Sequence, residues 1–266
     1  GPVKKYIYRI LSMAENDLED RRGNAAKAIG VIFERYNNRR DTKRIFDQKE
    51  FIPEINDSFT FGGRLAVAAN LGNADSRAKM QDQHGWSDDQ IQAIIAPMEA
   101  RDAEFIQEIW DHFDTYWAET AKLDRDMRGL RTTKLEPTPV VIGGVELRGG
   151  YYPMSYDNRF STKTEAHQQE AMKSLMQGKS GRPTTSQGRS KQRVGRVTDQ
   201  QVSIDLTDVI YQAVNDTIHD LAFRRAISDV MRIITHPKFA TAIRETAGEE
   251  SYQQIRRWVQ DTVAGE

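Results

Sequence analysis

The segment EPTPVVIGGVELRGGYYPMSYD, Glu136 to Asp157, is the one place where the helical pattern of this chain clearly stops. Pro137 and Pro139 lead into the apolar run Val140, Val141, Ile142. Gly143-Gly144 follows, then Val145, Glu146 and Leu147. Two short β-prone runs around paired glycines predict a small hairpin, because glycine supplies the positive φ of a primed turn. Gly149-Gly150 lets the chain bend again, and Tyr151, Tyr152 and Tyr156 bring large rings to bury. With Pro153 and Asp157, these tyrosines form a clasp expected to hold the helices upstream against those downstream.

Upstream, Met98 to Met127 predicts one long helix. Phe105, Ile106, Ile109, Trp110, Phe113 and Trp117 make a wide apolar stripe, which reads as core. Its other face is acidic. From Asp88 to Asp126 there are eleven Asp and Glu against three bases, a local balance of −8. Ser87-x-x-Gln90 is a capping box that opens a shorter helix to Ala96. Asp75 to Gln83 predicts another, ending near Gly85. Arg64 to Gly72 (RLAVAANLG) is rich in small residues, suited to close helix packing, with Gly72 as its stop. Gly62-Gly63 just before it could cradle a phosphate, but no P-loop Lys or Ser/Thr stands at the required spacing. Thr42 to Phe51 predicts a helix ending before Pro53. Arg39, Arg40, Lys43 and Arg44 beside it form a solvated helix end or a phosphate contact. Residues 3–22 and 25–36 predict two amphipathic helices separated at Gly23.

Downstream, Thr162-x-x-Glu165 is a second capping box, starting a helix to about Met176. Residues 178–200 then carry Lys179, Arg182, Arg189, Lys191, Arg193 and Arg196 with no acid before Asp199 and almost no bulky apolar residue. This is a basic, low-complexity loop: a linker, a nucleic-acid contact or a protein-docking segment. It lacks the aromatic rings that stack on single-stranded bases. It could also pair with the acidic helical segment. Asp205-x-x-Asp208 begins a second long helix to about Thr235, which His236-Pro237 interrupts. Two shorter helices, 237–247 and 250–264, are separated at Gly248.

The fold class that follows is mostly α, a multi-helix orthogonal or bundle-like domain with one small β-hairpin near residues 140–148. Its expected organisation is an N-terminal helical segment, 1–54, and a helical module, 55–266, containing the clasp (136–157) and the basic loop (178–200). The chain has 266 residues and a net charge of −1, so no global field draws it to nucleic acid or anionic lipid. It has no cysteine, which excludes disulfides, thiolate metal sites and thiol nucleophiles. No apolar run approaches the roughly 20 residues of a membrane span. Gly1-Pro2 reads as a protease scar, so the chain reads as a piece excised from a longer polypeptide.

Candidate chemistry is sparse. Asp216 and His219 are one turn apart on one helix. Glu104, Glu108 and His112 form a row on another. Either set could ligate a metal in a bundle core, or belong to a structural ion-pair network. A carboxylate-bridged dimetal bundle repeats Glu-x-x-His on two helices, and this chain does not. No Walker, dinucleotide-binding or triad signature is present, so no cofactor is expected and a non-catalytic role is favoured over an enzyme.

Four segments carry a resemblance: Leu65 to Asn73 (LAVAANLGN), Phe105 to Trp117 (FIQEIWDHFDTYW), Gly149 to Asp157 (GGYYPMSYD) and Ile218 to Arg225 (IHDLAFRR). In order and spacing they resemble a helical module of the very large polyvalent proteins of bacteriophages, prophages and related mobile elements. The resemblance covers roughly residues 55 to 260, and GGYYPxxYD is its most specific part. It implies a phage-encoded structural or interaction module. The module would be carried in the virion or act in the host cytoplasm, with a part in DNA ejection. Its partners would be other domains of the parent polypeptide, other virion proteins, or DNA. It implies no catalytic residues.

Overall fold

The computed structural model describes residues 2–37, 45, 47–129, 131–154 and 203–264. Helix dominates, as the patterning predicts, with two small antiparallel hairpins among the described residues where the sequence predicts one. The described residues divide by contact into two units, whereas the sequence places a boundary near residue 54. One unit holds residues 2–23 and 216–264. The other holds 24–154 and 203–215 of those described.

Helix α1, Pro2–Tyr36, is continuous, so the expected break at Gly23 does not occur. The buried positions explain this. Ile7, Leu11, Ala14 and Leu18 are followed in the same phase by Ala25, Ile29 and Ile32. One interior glycine costs a helix only about 1 kcal/mol, less than an apolar stripe that keeps its phase on both sides of it recovers.

The expected helix over Thr42–Phe51 is corrected in its second part, Ile45 being helical. Residues 42–44 and 46 lie outside the described set, but Lys49–Ile52 is strand β1, paired antiparallel with β2, Asp57–Thr60. The register sets Lys49 opposite Thr60 and Ile52 opposite Asp57. Pro53 to Asn56 turns the chain, with Asn56 in the left-handed region. Burial of Ile52 and Phe59 outweighs the helical propensity of the flanking charged residues.

Helix α2, Phe61–Ala69, starts three residues before the expected Arg64, because Thr60 caps it by accepting the Gly63 N–H at 3.1 Å. Every residue of α2 is buried, and a 3₁₀ turn, Asn70–Gly72, extends it. Helix α3, Ala74–His84, is capped by Asn73 and stopped by Gly85 at φ 70°. Helix α4, Asp88–Ile95, carries both hydrogen bonds of the Ser87/Gln90 capping box.

The single long helix expected over Met98–Met127 is two: α5, Ala100–Asp114, and α6, Trp117–Arg128. The turn at Thr115-Tyr116 has a local cause. The Thr115 hydroxyl donates to the His112 carbonyl at 2.6 Å and the Thr120 hydroxyl to the Tyr116 carbonyl at 2.8 Å. Such side-chain bonds bend helices. Strands β3, Val140–Ile142, and β4, Val145–Leu147, form the expected hairpin, with Gly143 and Gly144 at φ 57° and 77°.

Helix α7, Leu206–Thr235, begins with Asp208 N–H donating to Asp205 Oδ1 at 3.0 Å. Helix α8, Pro237–Ala264, is interrupted at Gly248 (φ 86°), as expected. In the smaller unit, Ile7 and Leu11 pack with Val230 and Ile234. The helix expected at 162–176 and the loop at 178–200 lie outside the described residues.

Candidate functional site

Within the larger unit, the clasp meets the helices at Trp110. This indole is 1% exposed and its Nε1–H donates to the Ala69 carbonyl at 2.9 Å. The Gly72 carbonyl accepts from both Thr138 N–H and Gly150 N–H, each at 2.9 Å. Asn73 Nδ2 donates to the Glu136 carbonyl at 3.0 Å. The end of α2, the middle of α5 and the strap 134–152 are therefore joined at one point.

Glycine is what permits the approach. A Cβ on Gly72 would lie 2.3 Å from Trp110 Cζ2, and one on Gly150 2.4 Å from Trp110 Cβ. At Gly149 the φ of 81° adds a backbone reason for glycine. Outside this contact, Arg148 Nη2 reaches both oxygens of Asp111 at 2.8 and 3.0 Å. Lys134 Nζ lies 2.5 Å from Asp114 Oδ1. These exposed pairs rim a cleft of about 170 Å³ whose floor is Trp110, Phe113 and Tyr151. The Tyr151 and Phe113 rings meet edge to face at 6.0 Å.

Of the clasp residues, Tyr151, Tyr152 and Pro153 are buried; Tyr156 and Asp157 lie outside the described residues. Tyr152 is 1% exposed, and its hydroxyl has no hydrogen-bond partner among the described residues. Burial first, and then the nearby Asp205 charge, push this phenol far above its ordinary pKa. The ring therefore stabilises the fold while its hydroxyl opposes it. Tyr152→Phe is expected to be neutral or to add up to about 1 kcal/mol, whereas Tyr152→Ala should lose about 3–5 kcal/mol. Thermal melts of the two variants check this, and a Phe variant as damaged as the Ala variant would disprove it.

The candidate metal residues have other partners. Glu108 accepts from Arg35 Nη1 at 2.7 Å, and Glu104 is exposed. His112 Nε2 lies 3.3 Å from the Tyr116 hydroxyl, and burial holds its imidazole below the usual range. His219 stacks on Phe223 at 4.9 Å. Burial, then Arg22, lower its pKa, against the opposing pull of Asp220 and Asp216. Among the described residues no group of three or more His, Asp or Glu is placed to hold a metal ion.

The phosphate reading of Gly62-Gly63 also changes. Both glycines are buried inside α2, and the Ile45 carbonyl would lie 3.0 Å from a Cβ on Gly62. That helix end has no open face for a phosphate. The basic residues Lys179, Arg182, Arg189, Lys191, Arg193 and Arg196, and the cluster Arg39, Arg40, Lys43 and Arg44, lie outside the described residues.

The ion-pair network read for the Asp216–His219 cluster is present as a buried pair, while one feature of the larger unit escaped the sequence reading. In the smaller unit, Arg224 (1% exposed) donates from Nε to Asp220 Oδ1 at 3.0 Å. Their four-residue spacing was a usable signal; their burial was not. In the larger unit, buried Asp102 accepts from the Tyr36 hydroxyl and from the Glu99 N–H that it caps. The acidic excess is also partly answered within the fold, four of the six pairing cations coming from outside the 88–126 region. Asp88, Glu99, Glu108, Asp111, Asp114 and Asp126 each lie within ion-pair distance of an Arg or Lys, at Arg77, Arg101, Arg35, Arg148, Lys134 and Lys122.

These features define a mostly α-helical protein whose larger unit is locked around one tryptophan by glycines from two distant stretches. Among the described residues, no helix is long and apolar enough to cross a membrane. Comparison of the chain with family models, curated proteins and solved structures finds no match.

Proposed function

We propose that this chain is a non-catalytic structural and interaction module of a large phage-encoded polypeptide, carried in the virion and acting as its genome enters the host. One observation carries the reading. Three of the four segments that resemble the polyvalent-protein module, 65–73, 105–117 and 149–157, supply the residues that meet at Trp110. Their distinctive glycines and aromatic rings serve packing, as a framework module requires. Deleting residues 24–154 from the parent gene should lower the yield of infectious particles or block genome delivery. Unchanged infectivity with normal particle composition would end the proposal.

A second reading is nucleic-acid binding through residues 179–196. It is favoured by Arg77, Arg35, Arg148 and Lys134, which bring cations to the 88–126 region from elsewhere in the chain and answer about half of its −8 balance without this +6 segment. Affinity for duplex DNA should then fall steeply between about 50 and 200 mM salt, and vanish when the six bases are neutralised.

A further inference from the structure

Among the described residues, the first three turns of α1 carry large rings that face solvent. Tyr6 is 68% and Tyr8 63% exposed, although both lie on a helix whose Ile7 and Leu11 are core. Lys5 and Arg9 are exposed between them. At helical spacing, Lys5 and Arg9 are an (i, i+4) pair at the centre of the solvent face, and Tyr6 and Tyr8 flank it on either side. No acid precedes Glu15 in the sequence.

We infer that this cationic and aromatic face of α1, Lys5, Tyr6, Tyr8 and Arg9, binds single-stranded nucleic acid. The cations would contact phosphates and the rings would stack on unpaired bases, the pairing that sequence-tolerant single-strand binders use. A duplex offers no free base faces to rings on a helix surface. An anionic membrane is the weaker fit. A membrane-surface helix inserts its apolar face, and here Ile7, Leu11 and Ala14 are already buried. The surface rests on the interaction-module reading only in giving that module a partner, and it does not use residues 179–196.

The test uses the whole chain and a fluorescent oligothymidylate of about 16 nucleotides at low salt, followed by anisotropy. The expected result is salt-sensitive binding, weakened at least about tenfold by Tyr6→Ala with Tyr8→Ala, and likewise by Lys5→Glu with Arg9→Glu. All four side chains are exposed, so circular dichroism and the melting point should stay at wild-type values. The inference is overturned by no binding at low salt, or by binding that both double variants retain. It is also overturned by binding lost only when residues 179–196 are neutralised, or by capture on phosphatidylserine vesicles without affinity for the strand. Failure here would leave the particle-assembly result for residues 24–154 standing.

Discussion

Gly72→Ala should destabilise the larger unit by about 3 kcal/mol, at the upper end for overpacking, because neither neighbour can yield. The added methyl would lie 2.3 Å from the Trp110 ring and 2.8 Å from the Gly150 nitrogen. The indole is held by its bond to Ala69, and the Gly150 amide by its bond to Gly72 itself. For a chain of this size that loss lowers the melting point by roughly 6–12 °C. Gly23→Ala is the matched control. Gly23 is helical, and no heavy atom lies within 4 Å of where its Cβ would stand. Alanine there should add about 0.5–1 kcal/mol. A double-mutant cycle then tests the mechanism. In a Trp110→Leu background, Gly72→Ala should cost clearly less, because part of the clash has gone. Equal costs in both backgrounds would show that the ring is not what excludes the methyl.

Asp220→Ala should cost about 3–5 kcal/mol, as for removing one partner of a buried ion pair. Asp220 and Arg224 are 4% and 1% exposed, and two nitrogens of the guanidinium face the two carboxylate oxygens. Losing the carboxylate takes from a buried guanidinium the partner that faces two of its nitrogens. Replacing both, as Asp220→Leu with Arg224→Met, removes the desolvation cost of both ions and should recover most of the loss. Chemical denaturation of the single and double variants measures this. A double variant no more stable than Asp220→Ala would mean that loss of this ion-pair partner is not what makes the single substitution costly.

Legibility followed the range of each interaction. Ser87 with Gln90, Asp205 with Asp208, and the Gly143-Gly144 turn act within four residues, so the sequence predicts them and the structure has them. Long-range choices were only partly legible. In α1, Gly23 was a local stop signal overruled by an apolar stripe that keeps phase from Ile7 to Ile32. At Lys49–Ile52, helical propensity lost to pairing with Asp57–Thr60. At Thr115, hydroxyl-to-carbonyl bonds divided a helix whose periodicity alone would carry through.

The candidate sites divide in the same way. That the clasp would turn at paired glycines and bury Tyr151 and Tyr152 could be read from residue types, because turn chemistry and ring burial belong to the residues themselves. Where the acids of the 88–126 region would find their cations could not. Arg35 and Arg148 reach them from remote parts of the chain, and sequence charge counts carry no distances. By itself the sequence determined the helical class, the hairpin and most helix ends, all set by backbone conformation and capping within one or two turns. Only the tertiary structure decided the meeting of Gly72, Trp110 and Gly150, the burial of Asp220 with Arg224, and the exposure of Tyr6 and Tyr8. Each depends on which surfaces the chain brings together, and no local pattern encodes that.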